Sequence, residues 1–148
     1  MSSQAFETTS VRMERMLHLR FQAPAEDVDR IMEHVCRILP LVHGSYDQNA
    51  YQSGPGIERY RPREGAVAGA ESELRRRPGV VEVSFDMPDE RALLEQVIET
   101  IFQVHCYQEP TIRVQETLAC RAKGLDDRQN PHRWWNTTGD WKRKSADG

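Results

Sequence analysis

Two kinds of apolar periodicity alternate along the chain. "MLHLRFQAP" places Leu17, Leu19 and Phe21 on one face and His18 and Arg20 on the other, which predicts a strand ended by Pro24. "AEDVDRIMEHVCRIL" then spaces Val28, Ile31, Met32, Val35, Ile38 and Leu39 as one face of a helix, with Glu26 and Asp27 in the first turn, where the helix dipole favours negative charge. Between His43 and Pro62 the aromatics at 46, 51 and 60 are interrupted by Gly54-Pro55-Gly56, which predicts a bent or bulged second strand. "REGAVAGAESELRRRPG" has no period and reads as a connection. "VVEVSFDMP" alternates again through Val81, Val83, Phe85 and Met87. "DERALLEQVIETIFQVH" follows with Asp89 as the expected N-cap and a broad stripe of Leu93, Leu94, Val97, Ile98, Ile101 and Phe102. Ile112, Val114 and Leu118 complete a fourth strand.

The order β-α-β-β-α-β predicts an α+β, ferredoxin-like fold: one antiparallel sheet with two helices on one face, followed by a Trp-containing C-terminal tail. The other sheet face, expected to be half apolar, then needs a cover. Self-association or the tail would supply it. The expected organisation is a flexible N-terminal arm over 1–15, the domain over 16–122 and a tail over 123–148.

Composition narrows the function classes. The chain has 148 residues, enough for one core, and its formal net charge of −3 offers no global field toward nucleic acid or an anionic membrane. No stretch approaches the roughly 18 apolar residues of a spanning helix, and no apolar leader opens the chain. Cys36, Cys106 and Cys120 are odd in number and widely spaced, which predicts reduced thiols and a cytoplasmic setting. Polar residues His18, Arg20, Glu82, Ser84 and Asp86 fall away from the helices, and an acidic strand face argues against RNA.

The densest candidate chemistry is "HCYQEPTIRV" at 105–114. His105, Cys106 and Glu109 are of the types that bind copper or zinc, yet neighbouring residues point different ways and no HxxxH or CxxC partner completes a set. The competing reading is a junction, with His105 at the helix C-terminus and Tyr107 and Pro110 setting the turn into the last strand. Arg59, Arg61, Arg63 and Arg75 to Arg77 offer forks for an anion but interleave with Glu58, Glu64, Glu71 and Glu73, the pattern of an ion-paired surface. No nucleotide-binding glycine motif and no catalytic Ser, Cys or metalloprotease motif is present. Trp134, Trp135 and Trp141, followed by Lys142, Arg143 and Lys144, would dock on a neighbouring subunit or on a partner protein.

A resemblance joins these pieces. Gly44, Tyr46 and Asp47; Asn49, Ala50 and Tyr51; Gly54 and Gly56; Tyr60, Arg61 and Pro62; Glu64, Gly65 and Ala66; and His105 through Pro110 fall in the order and spacing of the CutA/YqfO-like domain. That domain occurs alone in bacteria and as an insert in the dinuclear-metal, hexameric GTP cyclohydrolase type 2-like family. The similarity covers roughly 16–118. Three positions depart from the pattern: Asn49 stands for a cysteine, Cys106 for a proline and Gln108 for a glutamate. The metal ligands of the larger proteins lie in their flanking domain and have no matches here. CutA proteins resemble this fold as trimers associated with divalent-cation tolerance, and the related PII-like proteins bind small effectors at subunit clefts.

The resemblance therefore implies a non-enzymatic, homo-oligomeric binding or regulatory module, most simply a trimer, and the charge and strand pattern add the expectation of no membrane or nucleic-acid partner. The expected ligand contacts lie where the junction approaches the 44–62 segment of a neighbour, at Tyr46, Arg61, His105, Tyr107 and Glu109. The alternative is a divalent-metal protein using His105, Cys106 and Glu109; a further alternative is an enzyme whose site forms between subunits.

Overall fold

The computed structural model describes residues 4–124 and 129–136. Its elements are β1 (Phe6–Glu7), β2 (Val11–Pro24), a 3-10 turn (Ala25–Asp27), α1 (Val28–Ile38), β3 (Tyr51–Gln52), β4 (Gly56–Tyr60), β5 (Arg75–Pro88), α2 (Arg91–Val104), β6 (Ile112–Ala122) and a 3-10 turn (Trp134–Asn136). All pairings are antiparallel: β6 lies against β2, β2 against β5, and β5 against both β3 and β4, while β1 extends the β5 edge of β2. This is the ferredoxin-like strand order that two one-sided helices and four strands require.

The core lies between the sheet and the helices. Leu17, Leu19, Phe21 and Ala23 of β2 and Val81, Val83, Phe85 and Met87 of β5 face Ile31 and Val35 of α1 and Val97 and Ile101 of α2. Each fully buried side chain of this size contributes about 1.5–3 kcal/mol. Ile38 and Phe102, expected on the buried stripes, are 40% and 45% exposed, because the stripes are wider than the contact that the sheet offers.

Several boundaries differ from the pattern-based reading. Part of the expected N-terminal arm is strand: β2 starts at Val11, and β1 precedes it. Alternation is weak there because Arg12, Met13, Glu14 and Arg15 pair with Arg121 to Leu118 of β6 beyond the reach of the helices. At 14 residues, β2 spans about 46 Å, longer than either helix covers. The second strand is divided into β3 and β4, as the Gly54-Pro55-Gly56 interruption predicts. Arg75 to Gly79, expected to be connection, opens β5 instead, and the register slips between Gly56 and Glu58 opposite Gly79, whose φ of +77° suits a bulge. Backbone pairing with β4 forms that stretch without any apolar signal. α2 begins at Arg91 after Glu90, with no side-chain cap from Asp89.

The second sheet face is polar, contrary to the half-apolar expectation. His18, Arg20 and Gln22 stand in register with Asp86, Ser84 and Glu82. The expected cover by the tail falls mostly outside the described residues, which include neither Trp141 nor Lys142 to Lys144. Trp134 and Trp135 form an edge-to-face pair at 5.8 Å and remain 44% and 50% exposed. No helix among the described residues is long and apolar enough to cross a membrane.

Candidate functional site

The stretch 105–109 leaves α2 at its C-terminus and crosses the end of the sheet before β6 begins. Each of its first four side chains is spent on a different segment. His105 is nearly buried; its Nε2–H donates to the Gln22 carbonyl of β2 at 2.7 Å, and its Nδ1 accepts the Tyr107 backbone N–H at 3.0 Å. Because one partner is an acceptor and the other a donor, the ring is fixed as the Nε2–H tautomer. Both nitrogens are occupied within the fold. His105 does not reach the last carbonyls of α2. That role falls to Arg30 of α1, whose Nε donates to the Val104 carbonyl at 3.1 Å while its Nη1 donates to Asp27 at 3.0 Å.

Cys106 turns toward Asp27. The carboxylate is held below the ordinary range by its hydrogen bond from Arg30 and then by that from the Cys106 thiol. The thiol in turn is pushed up, first by burial and then by the neighbouring Asp27 carboxylate, so it stays protonated. Raised above its ordinary value, Cys106 is a thiol rather than a thiolate at neutral pH.

Tyr107 packs on His105 with ring centroids 4.7 Å apart, and the Arg77 guanidinium lies 5.1 Å from its ring centre. Its hydroxyl oxygen is buried without a partner in hydrogen-bonding geometry among the described residues. Burial and the nearby Glu58 carboxylate push the phenol up. Gln108 uses both ends of its amide: Oε1 accepts the Val67 N–H at 3.1 Å and Nε2 donates to the Gly65 carbonyl at 3.3 Å. An ionised glutamate at this position has no donor for the Gly65 carbonyl, so the departure to Gln108 ties down the 65–67 loop. Glu109 is exposed, with no ion pair among the described residues.

The remaining sequence-chosen residues lie apart. Tyr46 closes a tight turn in which His43 and Tyr46 exchange backbone hydrogen bonds at 2.7 and 3.0 Å, and its side chain is 65% exposed. Arg61 donates to the Glu71 carbonyl at 3.0 Å. No hydrogen bond, ion pair or ring contact among the described residues joins Tyr46 or Arg61 to His105, Tyr107 or Glu109. His105, Cys106 and Glu109 do not form a metal-ligand cluster among the described residues.

Sequence reasoning missed Gln22, Asp27, Arg30, Glu58 and Arg77 as partners of the junction. Asp27 and Arg30 at i,i+3 carried a signal; the others meet the junction only through tertiary register. A small hollow of about 170 Å³ also lies where the β3–β4 break faces β5, lined by Gln22, Ser53, Gly54, Glu58 and Glu82 among others. Ser53 bridges that break: its Oγ accepts the Glu82 N–H at 2.8 Å and donates to the Gly54 carbonyl at 2.9 Å, a side chain standing in for a ladder bond.

With this geometry in place, the fold's relatives can be stated. The chain is similar in structure to a Bacillus cereus protein related to NIF3, with TM-score 0.57 and 20% identity over 72% of this chain. It spans 28% of that protein's length. It is also similar to CutA1 from the psychrotrophic bacterium Shewanella sp. SIB1, with TM-score 0.50 and 11% identity over 68% of this chain and 78% of the other. No protein-family model and no curated protein matches the chain. The fold is therefore α+β, ferredoxin-like and of the CutA/YqfO-like kind.

Proposed function

We propose that this protein is a non-enzymatic binding or regulatory module of the CutA/PII-like type that works as a homo-oligomer, most simply a trimer, assembled through the open face of its sheet. One observation carries the reading: that face holds polar groups left unsatisfied by the described residues of one subunit. Arg20 stands in register with Arg113 of β6, and its Nε is buried without a partner among the described residues. Its one ion pair among the described residues, to Glu82, is 3.7 Å long. Arg12 also faces Arg121, with Arg12 paired to Glu14 at 3.3 Å. Like charges directly opposite each other in a ladder are unfavourable, and an unpaired buried donor costs about 1–3 kcal/mol.

Beside this basic half runs an acidic one. Asp86 accepts from His18 Nδ1 at 2.8 Å, and Glu82 accepts from Gln22 at 3.3 Å. A second copy that lays Glu82 and Asp86 over Arg20 and Arg113 answers both halves at once. Self-complementary charge of this kind is what a closed symmetric assembly uses.

In such an assembly a ligand would lie between subunits, where the exposed Tyr46 and Glu109 can meet a neighbour's junction, Arg61 adds an anion contact from its place on the Glu71 carbonyl, and Tyr107 and His105 serve as walls. An enzyme site built the same way is the alternative within this geometry. A divalent metal at His105, Cys106 and Glu109 requires His105 first to release Gln22 or Tyr107, so we place ligand contacts elsewhere. The three free thiols suit a cytoplasmic setting.

Sedimentation velocity tests the reading. The expected result is a trimer for the unaltered chain and a folded monomer for Ser84→Arg, which adds a third cation beside Arg20. A monomeric unaltered chain, or an oligomer that Ser84→Arg leaves intact, would overturn it.

A further inference from the structure

The β4–β5 hairpin carries cations that its own carboxylates do not answer. In the antiparallel register Arg59 stands directly opposite Arg76, Glu58 opposite Arg77 and Tyr60 opposite Arg75. Residues so paired share a face with Cβ atoms about 4.5–5.5 Å apart, and like charges there repel. The neighbouring arginines are engaged. Arg75 donates to both oxygens of Glu71 at 2.7 and 2.6 Å, Arg61 donates to the Glu71 carbonyl at 3.0 Å, and Arg77 lies over Tyr107. Arg59 and Arg76 are exposed and have neither an ion pair nor a side-chain hydrogen bond among the described residues. Glu58 stands opposite Arg77 and near Tyr107, while Glu64 and Glu73 are exposed and make no ion pair among the described residues.

A cleft of about 400 Å³, lined by Tyr60, Arg75, Arg76, Arg77 and Pro78, opens beside this pair. We infer that the base of the hairpin binds a small phosphate-type oxyanion, inorganic or esterified, held between the Arg59 and Arg76 guanidinia with the rest of the ligand lying in the cleft. Two adjacent guanidinium forks match a dianion with several oxygens; a monocarboxylate would leave one charge unanswered. The rim is already ordered, since the bidentate Glu71 contact fixes Arg75 and the Tyr107 ring fixes Arg77. Nucleic acid is a poorer occupant, because the chain is net acidic and the adjoining sheet face carries Glu82 and Asp86. The inference does not depend on the oligomer.

The test titrates the full chain with sodium pyrophosphate, inorganic phosphate and, at matched ionic strength, sodium chloride. Thermal midpoint and amide chemical shifts are followed. Pyrophosphate and phosphate should raise the midpoint saturably and shift amides of 58–61 and 75–77, while chloride does neither. Arg76→Gln and Arg59→Gln should each weaken pyrophosphate by about tenfold. Both should raise the midpoint in anion-poor buffer, because the repulsion is gone. Arg59→Lys keeps the charge and loses the fork, so binding should weaken without that gain. Arg91→Gln, on the exposed face of α2, should leave binding unchanged. The inference fails if chloride matches pyrophosphate, if the glutamine variants bind undiminished, if they lower the midpoint in anion-poor buffer, or if single-stranded RNA binds and pyrophosphate does not displace it.

Discussion

The junction at 105–109 and the hairpin at 59–77 both concentrate reactive or charged residue types, and they spend them in opposite ways. At the junction, His105, Cys106 and Gln108 each have a partner inside the fold: Gln22, Asp27 and the 65–67 loop. In the hairpin, Arg59 and Arg76 face each other with none among the described residues. A rich residue vocabulary is therefore a poor guide to a site. What distinguishes a binding surface from a structural hub is whether its polar groups are already satisfied, since a satisfied group must give up a partner before it can take a ligand.

Several changes would break or sharpen this contrast. The largest effect should come from His105→Ala, which removes two hydrogen bonds and the stacking on Tyr107; it should cost about 3 kcal/mol in urea unfolding. A stable His105→Ala variant would return the residue to the pool of ligand groups. The next concerns acid. Asp27 sits below its ordinary value of 3.8 because of Arg30 and Cys106, so its contribution is present above that pH and is lost as pH falls through the depressed folded value. The gap in thermal midpoint between the unaltered chain and Asp27→Asn should hold from neutral pH to about 4 and close below it; a gap that persists at pH 2 would mean that the charge is not what matters.

Smaller effects follow. Gln108→Glu removes one donor and should cost about 1 kcal/mol, visible as faster amide exchange at residues 65–67 rather than across the core. Unchanged exchange there would show that Gln108 does not hold the loop. In Asp27→Asn the Cys106 thiol loses a neighbour that raises it, so alkylation by iodoacetamide, read by mass spectrometry, should quicken by about threefold. A slower reaction would contradict the donor role of the thiol.

The fold was largely legible because the core helices and strands obey their own periods: Leu17, Leu19 and Phe21 alternate, and Ile31, Val35, Val97 and Ile101 fall on helix faces. Legibility failed where backbone pairing acts without apolar packing. Arg75 to Gly79 join β5 through β4, and Arg12 to Arg15 join β2 through β6; neither stretch has a period to read. The departures at Cys106 and Gln108 were visible in the motif, but their consequences were not, since Asp27 and Gly65 are distant in sequence. Like-charge pairs such as Arg20 with Arg113 and Arg59 with Arg76 exist only once register is known.

The most direct measurement of the central claim, that the junction is a satisfied structural hub, is nitrogen-15 NMR of the His105 ring with and without zinc. The account predicts the neutral Nε2–H tautomer, Nδ1 accepting a hydrogen bond, and ring resonances unmoved by equimolar zinc. The opposite tautomer, or His105 nitrogens that shift on adding zinc, would contradict it.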